Sequence, residues 1–181
     1  MDALQSVNVT RIINCTQELP NHFEGQVKYL RVAVPDEPKG EIEKHFEETA
    51  AFIHELASAG ERGGVPEATF VHCSKGISRS CSIILSYLIQ HRGMTLIEAF
   101  AHTQERRPMI SPNSGFMEQL SRLEQRVTGK TTIDPSKYER YKDLHEFALP
   151  GNSVDCEQQL ASADGFDEGQ GNGEAGSGSG G

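Results

Sequence analysis

The most informative stretch of this sequence is residues 72–80, which read HCSKGISRS. It follows a short apolar run rich in β-forming residues, 68–71, and leads into residues 81–89, whose large apolar side chains recur on one helical face. The pattern predicts a buried strand, a tight turn and a helix in direct succession. Cys73 is therefore expected on a strand-to-helix turn, with Arg79 six positions later at the start of the helix.

A turn of this kind suits the binding of an anion. Backbone N–H groups at the start of a helix lack intrahelical partners, and the helix dipole adds partial positive charge there. Gly76 permits a backbone bend that a side chain would hinder, and the planar fork of Arg79 matches two oxygens of a phosphate. The same field favours the thiolate form of Cys73, which would make it a strong nucleophile at neutral pH.

The stretch resembles the H-C-x-x-G-x-x-R-S signature of cysteine-dependent protein phosphatases, in particular the dual-specificity family. The resemblance extends from about Val9 to about Val127. Further segments that match in the family's order are 13–16, 30–36, 86–88, 94–100 and 106–113. The resemblance implies an α/β cysteine phosphatase fold, with a central twisted sheet flanked by helices. It also implies hydrolysis of phosphotyrosine and phosphoserine or phosphothreonine in proteins through a cysteinyl-phosphate intermediate. No cofactor or metal is implied, because Arg79 and backbone amides would neutralise the phosphate charge.

The resemblance also implies a role for each residue around the loop. Cys73 is the expected nucleophile, and Arg79 is expected to grip the phosphoryl oxygens. The hydroxyl of Ser80 would support the cysteine sulfur when the phosphoenzyme breaks down. Asp36, on the loop after the second strand, would protonate the leaving group and then activate water. The other implied site residues are Ser74, Lys75, Gly76, Ile77 and Ser78, which bind phosphate together with Arg79, and His72 and Asn113, which support the loop.

Several of these assignments have a simpler alternative. The Pro-Asp-Glu-Pro stretch around Asp36 is also typical of a turn, and Glu37 is the alternative acid if the alignment is displaced by one residue. Asn113 could serve only as a helix cap, and Lys75 could be a solvated side chain. Cys81 is expected in the core, and no close cysteine pair supports a resolving role for it against the oxidised nucleophile.

Outside the loop the pattern alternates strands with helices, which is typical of an α/β domain. Strands are predicted over 9–15 and 27–34, and helices over 41–59, 78–92, 95–106 and about 111–127. For the last helix, Ser111 is the expected N-cap and Pro112 the first helical residue.

The chain is expected to divide into three parts. Residues 1–128 would form the catalytic domain, and 129–150 a C-terminal extension with a short amphipathic helix over 136–147. Residues 151–181 hold six acidic residues, no Lys or Arg and a closing Gly/Ser run, so this tail is expected to be disordered.

The N-terminal side departs from the family's pattern. Domains of the family usually carry about two further strands and most of a helix before the position that matches Val9. The chain is therefore expected to be a truncated form or a short gene model, whose sheet lacks its first strands. Uncovered strand edges favour pairing between molecules, so lower stability and self-association are expected.

Composition limits the partners and the cellular compartments that are expected for this chain. The formal charge of −9 disfavours nonspecific binding to nucleic acid or to acidic membranes. No stretch approaches the roughly 20 apolar residues of a membrane span. The scattered cysteines Cys15, Cys73, Cys81 and Cys156 favour neither a zinc site nor a disulfide framework, so a reducing compartment, the cytoplasm or nucleus, is expected. The expected partner is a phosphorylated protein, with a protein kinase as one candidate.

Two rival functions stay open from sequence alone. One is dephosphorylation of a phosphoinositide, an RNA 5′ end or a glucan, although such substrates favour additional basic residues and the loop adds only Lys75. The other is a non-catalytic phospho-binding scaffold. That function usually accompanies loss of the nucleophile, whereas Cys73, Arg79 and Asp36 are all present.

Overall fold

The chain combines parallel strands with helices, and three helices follow the last strand. The computed structural model describes residues 2–61, 67–140 and 148. In chain order its elements are α1 (Asp2–Gln5), β1 (Val9–Asn14), β2 (Lys28–Arg31), a 3₁₀ helix (Ile42–His45), α2 (Phe46–Glu61), β3 (Ala68–His72), α3 (Arg79–Arg92), α4 (Leu96–Arg106) and α5 (Ser114–Thr128). The α/β fold class is confirmed, and β2 is shorter than the predicted strand over 27–34.

The strands form a parallel sheet in the order β2-β1-β3. The central strand is buried, with Ile12 2% and Ile13 0% exposed, as expected for a parallel strand between two neighbours. Asn14 lies opposite Arg31 on β2 and opposite His72 on β3. The carboxyl ends of the strands therefore meet at one edge of the sheet, on either side of β1. In open α/β sheets this edge is where ligands bind.

Local sequence signals fix the ends of α3 and α4. Gly93 ends α3 in the left-handed conformation, with φ of 68°. Thr95 then caps α4 in a reciprocal capping box: its hydroxyl accepts from the N–H of Glu98, whose carboxylate accepts from the N–H of Thr95.

The start of α5 differs from the prediction. Asn113, and not Ser111, is the N-cap: its Oδ1 accepts from the N–H of Phe116 at 3.0 Å, and the helix begins at Ser114. The carbonyl of Ser111, which would accept the first helical bond of an N-cap, instead accepts from the guanidinium of Arg140. The N–H of Ser111 donates to the carbonyl of Ile77 at 2.8 Å, which holds the segment before α5 against the loop after β3.

The segment after α5 packs back onto the domain. Ile133 is fully buried and forms an antiparallel bridge with Ala148. The hydroxyl of Tyr138 donates to the carbonyl of Pro112 at 2.8 Å, and the guanidinium of Arg140 donates to the carbonyl of Ser111. These contacts fasten the extension to the segment that precedes α5.

The helix predicted over 136–147 does not begin where expected, because 136–140 form turns and loop. The rest of that prediction, over 141–147, lies outside the described residues, and so does the tail predicted to be disordered over 151–181.

Strand β3 forms one edge of the sheet within the part of the chain that the structure describes. Phe70 on this strand is 42% exposed. The self-association expected from such an edge stays a prediction. Among the described helices, none is both long and apolar enough to cross a membrane.

Candidate active site

The candidate site is built where the three parallel strands end. Cys73 directly follows β3, Glu18 lies on the loop after β1, and Asp36 lies on the loop after β2. Because the strands are parallel, these three loops converge at the carboxyl edge of the sheet. Arg79 begins α3, so residues 73–78 form the turn between strand and helix that the sequence predicted; we call them the phosphate loop.

The thiol of Cys73 is surrounded by hydrogen-bond donors. Its Sγ lies 3.3 Å from the hydroxyl of Ser80. Burial acts to raise the pKa of Cys73, but hydrogen bonds from the Ser80 hydroxyl and from the backbone N–H groups of Ser80, Gly76 and Ile77 outweigh it. The pKa of Cys73 therefore lies below that of an ordinary cysteine, which favours the nucleophilic thiolate.

The other described cysteines have the opposite electrostatic character. Burial, followed by the neighbouring charge of Cys73, raises the pKa of Cys81 to about 12. The same two causes raise the pKa of Cys15 well above its usual range. Cys81 is 2% exposed, so its predicted place in the core is confirmed. Of the described thiols, only that of Cys73 has its pKa shifted toward reactivity.

Arg79 lies in the floor of the site, only 7% exposed. Its Nη2 donates to the hydroxyl of Ser74 at 2.9 Å and to Oε1 of Glu18 at 3.4 Å. Its Nε is buried without a hydrogen-bond partner among the described residues, 4.0 Å from Oδ2 of Asp36. A buried donor without an acceptor is costly. An oxyanion bound against the phosphate loop would supply that acceptor, and the guanidinium suits one.

The carboxylate of Asp36 is tied to the phosphate loop. Its Oδ1 accepts from the hydroxyl of Ser78 at 2.6 Å and from Nδ2 of Asn113 at 3.0 Å. The backbone N–H of Asn113 in turn donates to the Ser78 hydroxyl at 3.1 Å. The Asp36 side chain keeps 30% of its surface exposed. It is therefore held in place yet reachable, as a group that exchanges protons with a substrate and with water must be.

A glycine on α5 allows the Asp36 loop to approach this closely. A Cβ on Gly115 would lie 1.9 Å from the carbonyl oxygen of Pro38, on the same loop as Asp36. A side chain at this position would push the loop away from the first turn of α5, and the acid with it.

The ring of His72 lies beside Phe70 and the backbone of Cys73. The ring stacks on Phe70, with centroids 5.5 Å apart. Burial, together with the nearby His22, lowers the pKa of His72 although the Cys73 backbone opposes the shift. Its predicted role in orienting the loop stays a prediction.

Sequence reasoning missed Glu18. The hydroxyl of Ser74 donates to its carboxylate, and this bond, followed by bonds from the Glu18 backbone and from Arg79, lowers the pKa of Glu18 to about 2. Glu18 is thus an ionised carboxylate beside the guanidinium of the site. It lies in a polar loop without a motif, so no signal in the sequence pointed to it.

Sequence reasoning also gave no role to Arg107, although it lies in one of the segments that match the family. Its guanidinium donates to the carbonyls of Gly76 and Lys75, at 2.6 Å and 3.0 Å. The structure thus places Asp36 beside the phosphate loop that holds Cys73, and adds contacts from Glu18 and Arg107, two residues that the motif does not contain. In the described ranges, no group of three or more His, Cys, Asp or Glu side chains could hold a metal ion.

Comparison with known proteins agrees with this geometry. The family model described as "Dual specificity phosphatase, catalytic domain" matches residues 1–126. Dual specificity protein phosphatase 1 of Homo sapiens is 41% identical over 126 residues, 70% of this chain and 33% of that protein. Dual specificity protein phosphatase 2 of Mus musculus is 41% identical over 127 residues, 70% of this chain and 38% of that protein. The match thus spans about a third of the length of these relatives.

Solved structures show the same fold. Human DUSP28 is 33% identical with a TM-score of 0.63, covering 69% of this chain and 80% of that chain. A mouse putative dual specificity phosphatase complexed with zinc tungstate is 33% identical with a TM-score of 0.62, covering 71% of this chain and 77% of that chain.

Proposed function

Because this chain belongs to the dual-specificity phosphatase family, we propose that it hydrolyses phosphotyrosine and phosphoserine or phosphothreonine in proteins. The observation that carries the proposal is a cysteine with a lowered pKa on the loop that leads directly to a buried arginine with an unpaired N–H. The tungstate complex of the mouse relative adds support, since tungstate is a tetrahedral oxyanion like phosphate.

In the first step the phosphate of the substrate binds to the backbone N–H groups of the phosphate loop and to Arg79. The Cys73 thiolate attacks phosphorus and forms a P–S bond while the P–O bond to the substrate breaks. The departing oxygen takes a proton from the acid form of Asp36, whose Oδ2 lies 4.0 Å from Nε of Arg79.

In the second step water hydrolyses the cysteinyl phosphate. The Asp36 carboxylate takes a proton from the attacking water, the P–S bond breaks, and inorganic phosphate is released. The electron pair returns to the sulfur of Cys73 as a thiolate. The Ser80 hydroxyl, 3.3 Å from this sulfur, stabilises the charge that develops there.

The physiological setting is part of the proposal. A phosphorylated protein, with a protein kinase as one candidate, is proposed as the substrate, and the enzyme would act in signalling in the cytoplasm or nucleus. The family supports the protein substrate, and the scattered cysteines support the reducing compartment.

The direct test is a series of substrates with leaving groups of graded acidity. We expect Asp36→Asn to lower kcat by about 10²- to 10⁴-fold for alkyl phosphates, because the poor leaving group needs its proton. The loss should be much smaller for p-nitrophenyl phosphate, whose leaving group departs as an anion. Glu37→Gln is the matched control, since Glu37 is the neighbouring exposed carboxylate and the alternative acid.

Cys73→Ser completes the test. It should abolish turnover yet leave phosphopeptide binding measurable, because the N–H groups and Arg79 remain. Activity should resist chelators and be inhibited by vanadate. A Cys73→Ser enzyme that turns over at a near-normal rate would refute the mechanism, and equal losses across the leaving-group series would remove Asp36 from the proton transfers.

A further inference from the structure

The outer side of the phosphate loop is held by the segment that follows α4. Nε of Arg107 donates to the carbonyl of Gly76 at 2.6 Å, and Nη2 donates to the carbonyl of Lys75 at 3.0 Å. The N–H of Ser111 donates to the carbonyl of Ile77 at 2.8 Å. Three successive carbonyls of the loop therefore point toward this one segment.

The direction of these carbonyls sets the direction of the N–H groups. In a trans peptide the C=O and the next N–H point to opposite sides, and the described residues contain no cis peptide bond. When the carbonyl of Lys75 points outward, the N–H of Gly76 points inward; when the carbonyl of Gly76 points outward, the N–H of Ile77 points inward. Hydrogen bonding from these two N–H groups is among the causes that lower the pKa of Cys73. The fork of Arg107 thus holds the two peptide planes that the nucleophile depends on.

Gly76 is matched to this contact. It has φ of +65°, and a Cβ there would lie 2.8 Å from Nη2 of Arg107. The missing side chain lets the guanidinium lie against the loop backbone. Glycine also makes its peptide planes easier to rotate, so an external group that fixes them has a clear purpose.

We propose that Arg107 is a positioning residue for phosphoryl transfer, whose guanidinium holds the 75–76 and 76–77 peptide planes with their N–H groups facing Cys73. It acts through the loop, and its guanidinium donates to the carbonyls of Gly76 and Lys75. Two carbonyls of adjacent peptides require a rigid two-pronged donor, which arginine supplies and the single ammonium of lysine does not. The inference rests on the proposed nucleophilic role of Cys73.

The test measures the pH dependence of Cys73 alkylation by iodoacetamide, with the modified peptide identified by mass spectrometry. The variants are Arg107→Ala and Arg107→Lys in the full chain. Arg106→Ala is the matched control, because Arg106 is the preceding residue, carries the same charge and forms hydrogen bonds with Glu105 and His102. The alkylation midpoint is the pH at which the rate of Cys73 alkylation is half its maximum. We expect this midpoint to rise by about one pH unit in both Arg107 variants, which is a tenfold change in the ionisation equilibrium of the thiol. It should stay unchanged in Arg106→Ala.

Two results would overturn the inference. An unchanged alkylation midpoint in Arg107→Ala would show that the two peptide planes keep their orientation without the guanidinium of Arg107. A wild-type midpoint in Arg107→Lys would show that the positive charge matters and the fork does not. Thermal unfolding of each variant checks that the variants are folded when their loops are compared.

If Arg107→Ala fails to fold, Gly76→Ala offers a second route. Its Cβ would displace the guanidinium and should raise the alkylation midpoint as well. An unchanged midpoint in Gly76→Ala would equally count against the role of the guanidinium fork.

The same assay separates this inference from the proposed function, because alkylation needs no turnover. A wild-type chain that hydrolyses no phosphoester, yet shows the shifts in the Arg107 variants, would refute the function and leave the positioning role standing. Normal hydrolysis by the wild-type chain, with unshifted alkylation midpoints in the Arg107 variants, would support the proposed function and refute the positioning role of Arg107.

Discussion

Asn113 joins two functions in one side chain, and substitution can separate them. Its Oδ1 caps α5 through the N–H of Phe116, while its Nδ2 donates to the carboxylate of Asp36. Asn113→Ala removes both bonds. Asn113→Ser keeps a capping oxygen, because serine is also a good N-cap, but its side chain is too short to reach Asp36.

The expected magnitudes follow from these contacts. Loss of an N-cap costs about 1 kcal/mol. A hydrogen bond to a charged group contributes about 1.5–3 kcal/mol; the tether to Asp36 should lie at or below the lower end, because that side chain is 30% exposed and can be hydrated instead. We therefore expect Asn113→Ser to be destabilised by about 1 kcal/mol and Asn113→Ala by about 2 kcal/mol. Each kcal/mol corresponds to a Tm decrease of about 4 °C in a domain of this size.

Catalysis should respond differently from stability. Both variants free Asp36 from one of its two donors, while the Ser78 hydroxyl still holds the carboxylate at 2.6 Å. We expect both to lose about tenfold in kcat on alkyl phosphates, since a loosened acid spends less time in the productive geometry. Thermal unfolding and alkyl phosphate kinetics are the assays. Equal unfolding temperatures for the two variants would refute the cap, and full activity of Asn113→Ser would refute the tether as a catalytic support.

Three further predictions concern the rest of the site. Glu18→Gln should lower KM for aryl phosphates several-fold, because it removes a carboxylate that repels the phosphate; a higher KM would instead show that Glu18 orients the guanidinium. Iodoacetamide at pH 7 should modify Cys73 and spare Cys15 and Cys81, whose raised pKa values keep them protonated; early labelling of either buried thiol would contradict those environments. Deletion of 151–181 should leave kcat on small substrates within about twofold, and a large fall would show that the tail reaches the site.

The sequence predicted those elements and helix ends that are set by the pattern of nearby residues. The strand, turn and helix around Cys73 follow from a short β-rich run, a glycine and a periodic apolar stretch, and all are where they were expected. The ends of α3 and α4 carry their signals at Gly93 and Thr95. The position of Asp36 came from the family resemblance, and the structure places it beside the phosphate loop.

What the sequence did not predict depends on contacts between distant segments. Ser111 looked like an N-cap because serine before proline is a local signal, but its carbonyl accepts from Arg140, which is 29 residues away, and Asn113 caps the helix. Arg107 bonds a carbonyl 31 residues away, and Glu18 meets a hydroxyl 56 residues away. Neither spacing belongs to a helix or strand period, so no periodic pattern could reveal these pairs.

The phosphate loop gains its shape from a chain of supports that runs well beyond the signature. The Ile77 carbonyl is fixed by Ser111, whose own carbonyl accepts two hydrogen bonds from the guanidinium of Arg140. The adjacent carbonyl of Pro112 accepts from the hydroxyl of Tyr138. Residues 129–140 thus hold the segment that in turn holds the phosphate loop. The sequence analysis had placed the end of the catalytic domain before them, at residue 128. Preorganised N–H groups lower a reaction barrier only if they stay aligned while charge moves, so the supports behind the loop belong to the site as much as the motif does.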